Sequence, residues 1–60
     1  MRAIEKINQI LKSDYSGYEI GKASGISASR ISELRRGDRK VTSLTLTTVD
    51  KLEKFYDENF

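Results

Sequence analysis

The sequence predicts an all-α fold, a compact four-helix domain with a helix-turn-helix at its centre. Three observations predict it. Proline is absent from the 60 residues while isoleucine, leucine, lysine and glutamate are plentiful, a composition that suits helices. Apolar residues recur at helical spacing, first as Ile4, Ile7 and Leu11. The stretch Ser16–Gly37 places serines and glycines where helices start and stop.

Met1 to Lys12 reads as the first helix, with regular structure over about 2–12. Ile4, Ile7 and Leu11 form one apolar stripe and Ile10 widens it, while Glu5, Lys6, Asn8, Gln9 and Lys12 fall on the other side. This is a packing helix with no chemistry. Ser13-Asp14-Tyr15 is a short connection. Ser16 caps a second helix over 17–24, because its hydroxyl can accept from an orphan backbone N–H one turn in. Tyr15 and Ile20 flank that cap at the spacing of a hydrophobic staple. Gly25 stands where a helix ends with positive φ, which costs little without a Cβ.

Ser27 caps a third helix over 28–36, and Gly37 is its stop. A connection of about three residues containing a glycine suits a helix-turn-helix with a steep crossing. Ile20 and Ala23 are expected to face inward, Ile26 to plug the turn, and Ile31 and Leu34 to form the inner stripe of the third helix. Gly21 is the small residue required where the helices approach closely. Asp38 to Ser43 reads as a polar loop. A fourth helix runs over about 46–57, with Thr45 as its cap and Leu44 and Val49 as its staple; Thr47 with Asp50 is a rival, later cap. Val49, Leu52 and Tyr56 make its stripe, extended by Leu46 and Phe55.

Sixty residues are read as a single domain, 1–60, near the lower size limit for folding without staples. With no cysteine and no histidine, a disulfide framework and Cys/His zinc clusters are excluded. Neither a histidine base, a cysteine nucleophile nor a phosphate-loop glycine pattern is present, so no enzyme activity, metal, cofactor or small-molecule ligand is expected. No apolar run approaches the ~18 residues of a membrane span, and no secretory signal pattern opens the chain. A cytoplasmic location away from membranes is expected. The net charge of +2 is unevenly distributed. From Ile26 to Lys40, Arg30, Arg35, Arg36, Arg39 and Lys40 stand against Glu33 and Asp38, five minus two, net +3. From Val41 to Phe60, two basic residues stand against four acidic ones, net −2. A basic cluster on one helix and its exit loop is the footprint of a nucleic-acid reader; an ordinary solvated face is the alternative.

The segment SGYEIGKASGISASRISELRRG, Ser16–Gly37, resembles the helix-turn-helix of the phage repressor and Cro family of transcriptional regulators, often called XRE-like. Ile20, Gly21, Gly25, Ile26, Ile31, Ser32 and Leu34 fall where that motif places its apolar, small, glycine and serine residues. GDRKVTSLTLTTVDKL resembles the loop and following helix of small members from Gram-positive bacteria, their phages and plasmids. The resemblance covers roughly Ile4 to Tyr56. Gly17 departs from it, standing where the family usually has a glutamine that helps clamp DNA. Ser24 departs too, standing where an apolar residue or alanine is commoner, which predicts a slightly looser motif core. The resemblance implies a shortened lambda-repressor-like DNA-binding fold. It implies a transcriptional regulator, of repressor type, in the bacterial cytoplasm or nucleoid. Its partner would be double-stranded DNA carrying a partly palindromic operator, bound as a homodimer formed in solution or only on DNA.

Proteins of this kind put the N-terminal part of the third helix into the major groove. A turn of about 100° per residue places Ser29, Ser32, Glu33 and Arg36 opposite the Ile31/Leu34 stripe, with Arg30 and Arg35 on its flanks and Ala28 at the exposed tip. Base readout then falls to Ala28, Ser29, Ser32 and Glu33. Serine pairs with several base edges, alanine touches a thymine methyl, and glutamate accepts from cytosine N4. Glu33 has a structural alternative, an ion pair with Arg30 or Arg36. Phosphate contacts fall to Arg30, Arg35 and Arg36, to Arg39, Lys40 and Thr42 of the loop, and to Ser16, Tyr18 and Ser27 at helix N-termini, where backbone N–H groups favour an anion. Tyr18 reads equally as a partly buried surface tyrosine. Phe55, Tyr56 and Phe60 close the core against the first helix, form a dimer patch, or do both. A rival of another class is a protein-interaction module, such as an antitoxin, an anti-repressor or an adaptor, built on the same fold.

Overall fold

Four α-helices and one 3₁₀ turn follow one another as α1 (Ala3–Lys12), α2 (Gly17–Ser24), α3 (Ala28–Arg36), the 3₁₀ turn (Val41–Ser43) and α4 (Leu46–Asn59), with no strand among the described residues. The computed structural model describes residues 2–60; Met1, read from the sequence as part of the first helix, lies outside the described residues. Among the described residues no helix is long and apolar enough to cross a membrane.

The helix limits follow from local chemistry. At the start of α2, Ser16 Oγ accepts from the Glu19 N–H (3.0 Å) and the Glu19 carboxylate accepts from the Ser16 N–H (3.0 Å), a reciprocal capping box. Gly25 ends α2 with φ 83° and donates to the Gly21 carbonyl (2.8 Å). Ser27 Oγ caps α3 at the Arg30 N–H (3.3 Å). Gly37, with φ 84°, closes it, and the Asp38 N–H reaches back to the Glu33 carbonyl (3.0 Å). That pairing satisfies the carbonyls which the end of a helix leaves unbonded. Thr45 Oγ1 accepts from the Thr48 N–H (3.3 Å), so α4 takes the earlier of its two possible caps. Its far end runs past the expected residue 57 to Asn59. There Asn59 Nδ2 donates to the Phe55 carbonyl (2.9 Å), and Phe60 stacks on Tyr56 with ring centres 4.7 Å apart.

The apolar faces close on one another. Ile7 and Ile10 of α1, Ile20 of α2, Ile26 of the turn, Ile31 of α3, and Leu52 and Phe55 of α4 form one buried cluster. Leu34 is buried as well. α1 packs along α4, α2 packs on α3 and also meets α4, and the 3₁₀ turn lies on α1. Three expected placements are corrected. Ala23 is exposed, and Ser24 turns toward the core instead. Its hydroxyl donates to the Ile20 carbonyl (2.6 Å) and accepts from the Ile26 N–H (3.4 Å), so a polar side chain sits there satisfied. Leu46 is 81% exposed. It lies six residues before Leu52, about 120° round the helix and off the buried stripe. Thr48 is buried in its place, its hydroxyl accepting from that of Thr45 (3.1 Å). Phe55 is only 3% exposed, edge-on to Tyr15 at 5.3 Å, and cannot belong to a dimer patch.

Candidate nucleic-acid interface

The first residues of α2 and α3 lie side by side. A Cβ placed on Gly17 would stand 3.5 Å from the Ala28 carbonyl oxygen and 3.7 Å from Ile31 Cγ2, in ordinary van der Waals contact. Ser16 and Tyr18 thus border the tip of α3, where Ser27 and Ala28 stand. Tyr18 is 69% exposed, which removes the reading of a partly buried ring. The capping serines use their oxygens as acceptors, and a hydroxyl in that role keeps its proton free to donate outward.

α3 buries only Ile31 and Leu34. Ala28, Ser29, Arg30, Ser32 and Arg36 are all exposed, and Glu33 is half-buried. The positive φ at Gly37 folds the chain back, so Arg39 returns to the edge of the same helix, and Lys40 leads from it into the 3₁₀ turn. The Arg39 N–H bonds the Glu33 carbonyl (3.3 Å), and its Nε stands 3.5 Å from Glu33 Oε1. Glu33 therefore pairs with Arg39, not with the expected Arg30 or Arg36. Arg36 Nε instead meets Asp38 Oδ2 at 2.9 Å. Arg30 and Lys40 have no ion-pair partner among the described residues. Thr42 is exposed in the 3₁₀ turn, but it borders an apolar groove beside Ala3, Ile4, Val41 and Leu44 and so stands apart from the α3 face.

Arg35 departs from its expected role as a phosphate contact. Its Nε donates to the Leu11 carbonyl (3.0 Å), and its terminal nitrogen donates to the carbonyls of Ile10 (3.4 Å), Ser13 (3.4 Å) and Tyr15 (2.6 Å). Through Nε and one terminal nitrogen the guanidinium binds α3 to the corner between α1 and α2. The signal for this was the missing glycine after Lys12: α1 ends without a left-handed cap, so its last carbonyls need another donor. A second connection absent from the sequence reading joins α1 to α4. Lys6 Nζ lies 3.0 Å from Asp57 Oδ1, 3.4 Å from Glu53 Oε2, and 5.7 Å from the centre of the Tyr56 ring. The hydrogen bond to Asp57 leads the effects that raise the Lys6 pKa, ahead of the charges of Asp57 and Glu53; burial opposes them.

The exposed polar face of α3 carries Ala28, Ser29, Arg30, Ser32 and Arg36, with Arg39 held against it through Glu33. No protein-family model matches this chain, and no curated protein matches it significantly. The reading of the site therefore rests on its own residues and geometry.

Proposed function

We propose that this domain binds double-stranded DNA sequence-specifically, with α3 in the major groove, and acts as a transcriptional regulator of the repressor type in the bacterial cytoplasm. One observation carries the reading. Ser29 and Ser32 stand exposed on α3 with no side-chain hydrogen bond among the described residues, on the same helix as the exposed Arg30 and Arg36. Free hydroxyls beside Ala28 suit base edges in the groove, whereas Arg30, Arg36, Arg39 and Lys40 suit the phosphates that flank it. Tyr18, Ser16 and Ser27 would meet the backbone at the other edge. The mechanism is steric, with the bound protein occupying the sites that polymerase needs. The longest dimension of the domain is 25 Å, short of the ~34 Å between successive major-groove half-sites. A palindromic operator would therefore take two copies, and Tyr56 and Phe60 remain as the aromatic surface for contact between them, Phe60 being 52% exposed.

Selection of duplexes from a random library tests the reading. An enriched sequence should emerge, and Ser29→Ala or Ser32→Ala should each reduce discrimination at one base pair by about 0.5–1.5 kcal/mol, the worth of a single neutral hydrogen bond. A library that yields no enriched sequence, from folded protein, contradicts it. A protein-interaction module is the second reading, favoured by the exposure of Leu46 and Phe60. It predicts that substituting those two abolishes function while DNA binding is kept.

A further inference from the structure

We propose that Asp38 and Glu33 set the specificity of the α3 face by competing with DNA phosphates for its arginines. The inference rests on the DNA-binding reading above. In the free protein Asp38 Oδ2 holds Arg36 Nε at 2.9 Å and Glu33 Oε1 holds Arg39 Nε at 3.5 Å. The Arg36 and Asp38 side chains are 62% and 63% exposed, and ion pairs in such surroundings contribute little to folding. Stability is thus a poor account of why two carboxylates stand among the cations of this face. Their geometry is set by backbone, since the Asp38 and Arg39 N–H groups both bond the Glu33 carbonyl (3.0 and 3.3 Å). The two carboxylates are therefore held where they offset two of the four cations, Arg36 and Arg39, and leave Arg30 and Lys40 unpaired.

An arginine leaves its carboxylate for a phosphate when α3 is seated and the phosphate lies in register. On DNA of arbitrary sequence the exchange gains little, because one anion replaces another and the displaced carboxylate is left facing the backbone. Sequence-independent attraction, which depends on how many phosphates are neutralised, is lowered more than binding to a matched site. The opposing expectation is that the carboxylates pre-order the arginines and so strengthen binding to any DNA.

Fluorescence anisotropy on a random-sequence duplex decides between them, with the full chain and a salt series. Asp38→Asn and Glu33→Gln should each bind about three- to tenfold more tightly than wild type at 0.1 M salt, with a slope against log salt steeper by roughly one. Glu58→Gln, at the far end of α4, removes the same charge and should change binding less than about twofold. In an Arg36→Ala background, Asp38→Asn should lose its gain, since no arginine remains to be released. Binding unchanged or weakened by Asp38→Asn, or a gain that survives without Arg36, overturns the inference while wild-type binding stands. No binding by any variant at low salt overturns the DNA-binding reading and the inference with it.

Discussion

A Cβ built on Gly21 would stand 2.5 Å from the Ile26 carbonyl oxygen. The neighbour is backbone in a tight turn, with no flexible side chain to swing aside. Gly21→Ala should therefore destabilise the domain by about 1–3 kcal/mol, read as a lower urea midpoint at unchanged slope; an unchanged midpoint would show that the turn can shift. The need for a small residue here was legible in the spacing of Gly21 before Gly25 and Ile26. Arg35 was not legible in the same way, because sequence spacing placed it on a flank of α3 and said nothing of which carbonyls lay nearby. Its guanidinium serves the carbonyls of Ile10, Leu11, Ser13 and Tyr15. Arg35→Ala should cost about 1–3 kcal/mol, and Arg35→Lys should recover little of it, since an ammonium cannot present a planar fork. Full stability of the lysine variant in the same urea titration would contradict this role.

Among the elements, caps and stops were readable because they are local: Ser16, Ser27, Thr45, Gly25 and Gly37 each act within one turn. The buried face of α4 was less so. Helical spacing offered Leu46 and Phe55 as equal extensions of one stripe, and the packing of α1 and Tyr15 chose Phe55. Ion pairing across the loop was hidden too, because Glu33 meets Arg39 only after the chain reverses at Gly37. The α1–α4 contact carries a prediction of its own. Hydrogen bonding to Asp57 leads the effects that raise Lys6 above its ordinary pKa of 10.5. A base whose pKa is raised by folding stabilises the fold while protonated. That contribution is whole below 10.5 and is lost as pH climbs through the higher folded-state value. Thermal melts of wild type and Lys6→Met should differ at neutral pH and converge above 10.5; a difference that stays constant across that range would remove the ionic part of the contact.

At the scale of the whole molecule, charge is sorted by position. Arg30, Arg36, Arg39 and Lys40 are exposed along α3 and its exit loop, while α4 carries Asp50, Glu53, Asp57 and Glu58, two of them engaged by Lys6. The uneven order of charge along the chain was legible from the sequence; which cations of α3 and its loop lack an ion pair among the described residues, Arg30 and Lys40, was not. On the proposed function, Arg30, Arg36, Arg39 and Lys40 grip DNA phosphates. That grip is tested most directly by anisotropy of a random duplex across a salt series, comparing wild type with the double variant Arg39→Ala/Lys40→Ala. Log affinity should fall linearly with log salt, and the variant's slope should be shallower by roughly 1–2. Equal slopes for the two proteins, or no binding at low salt by folded wild type, would contradict it.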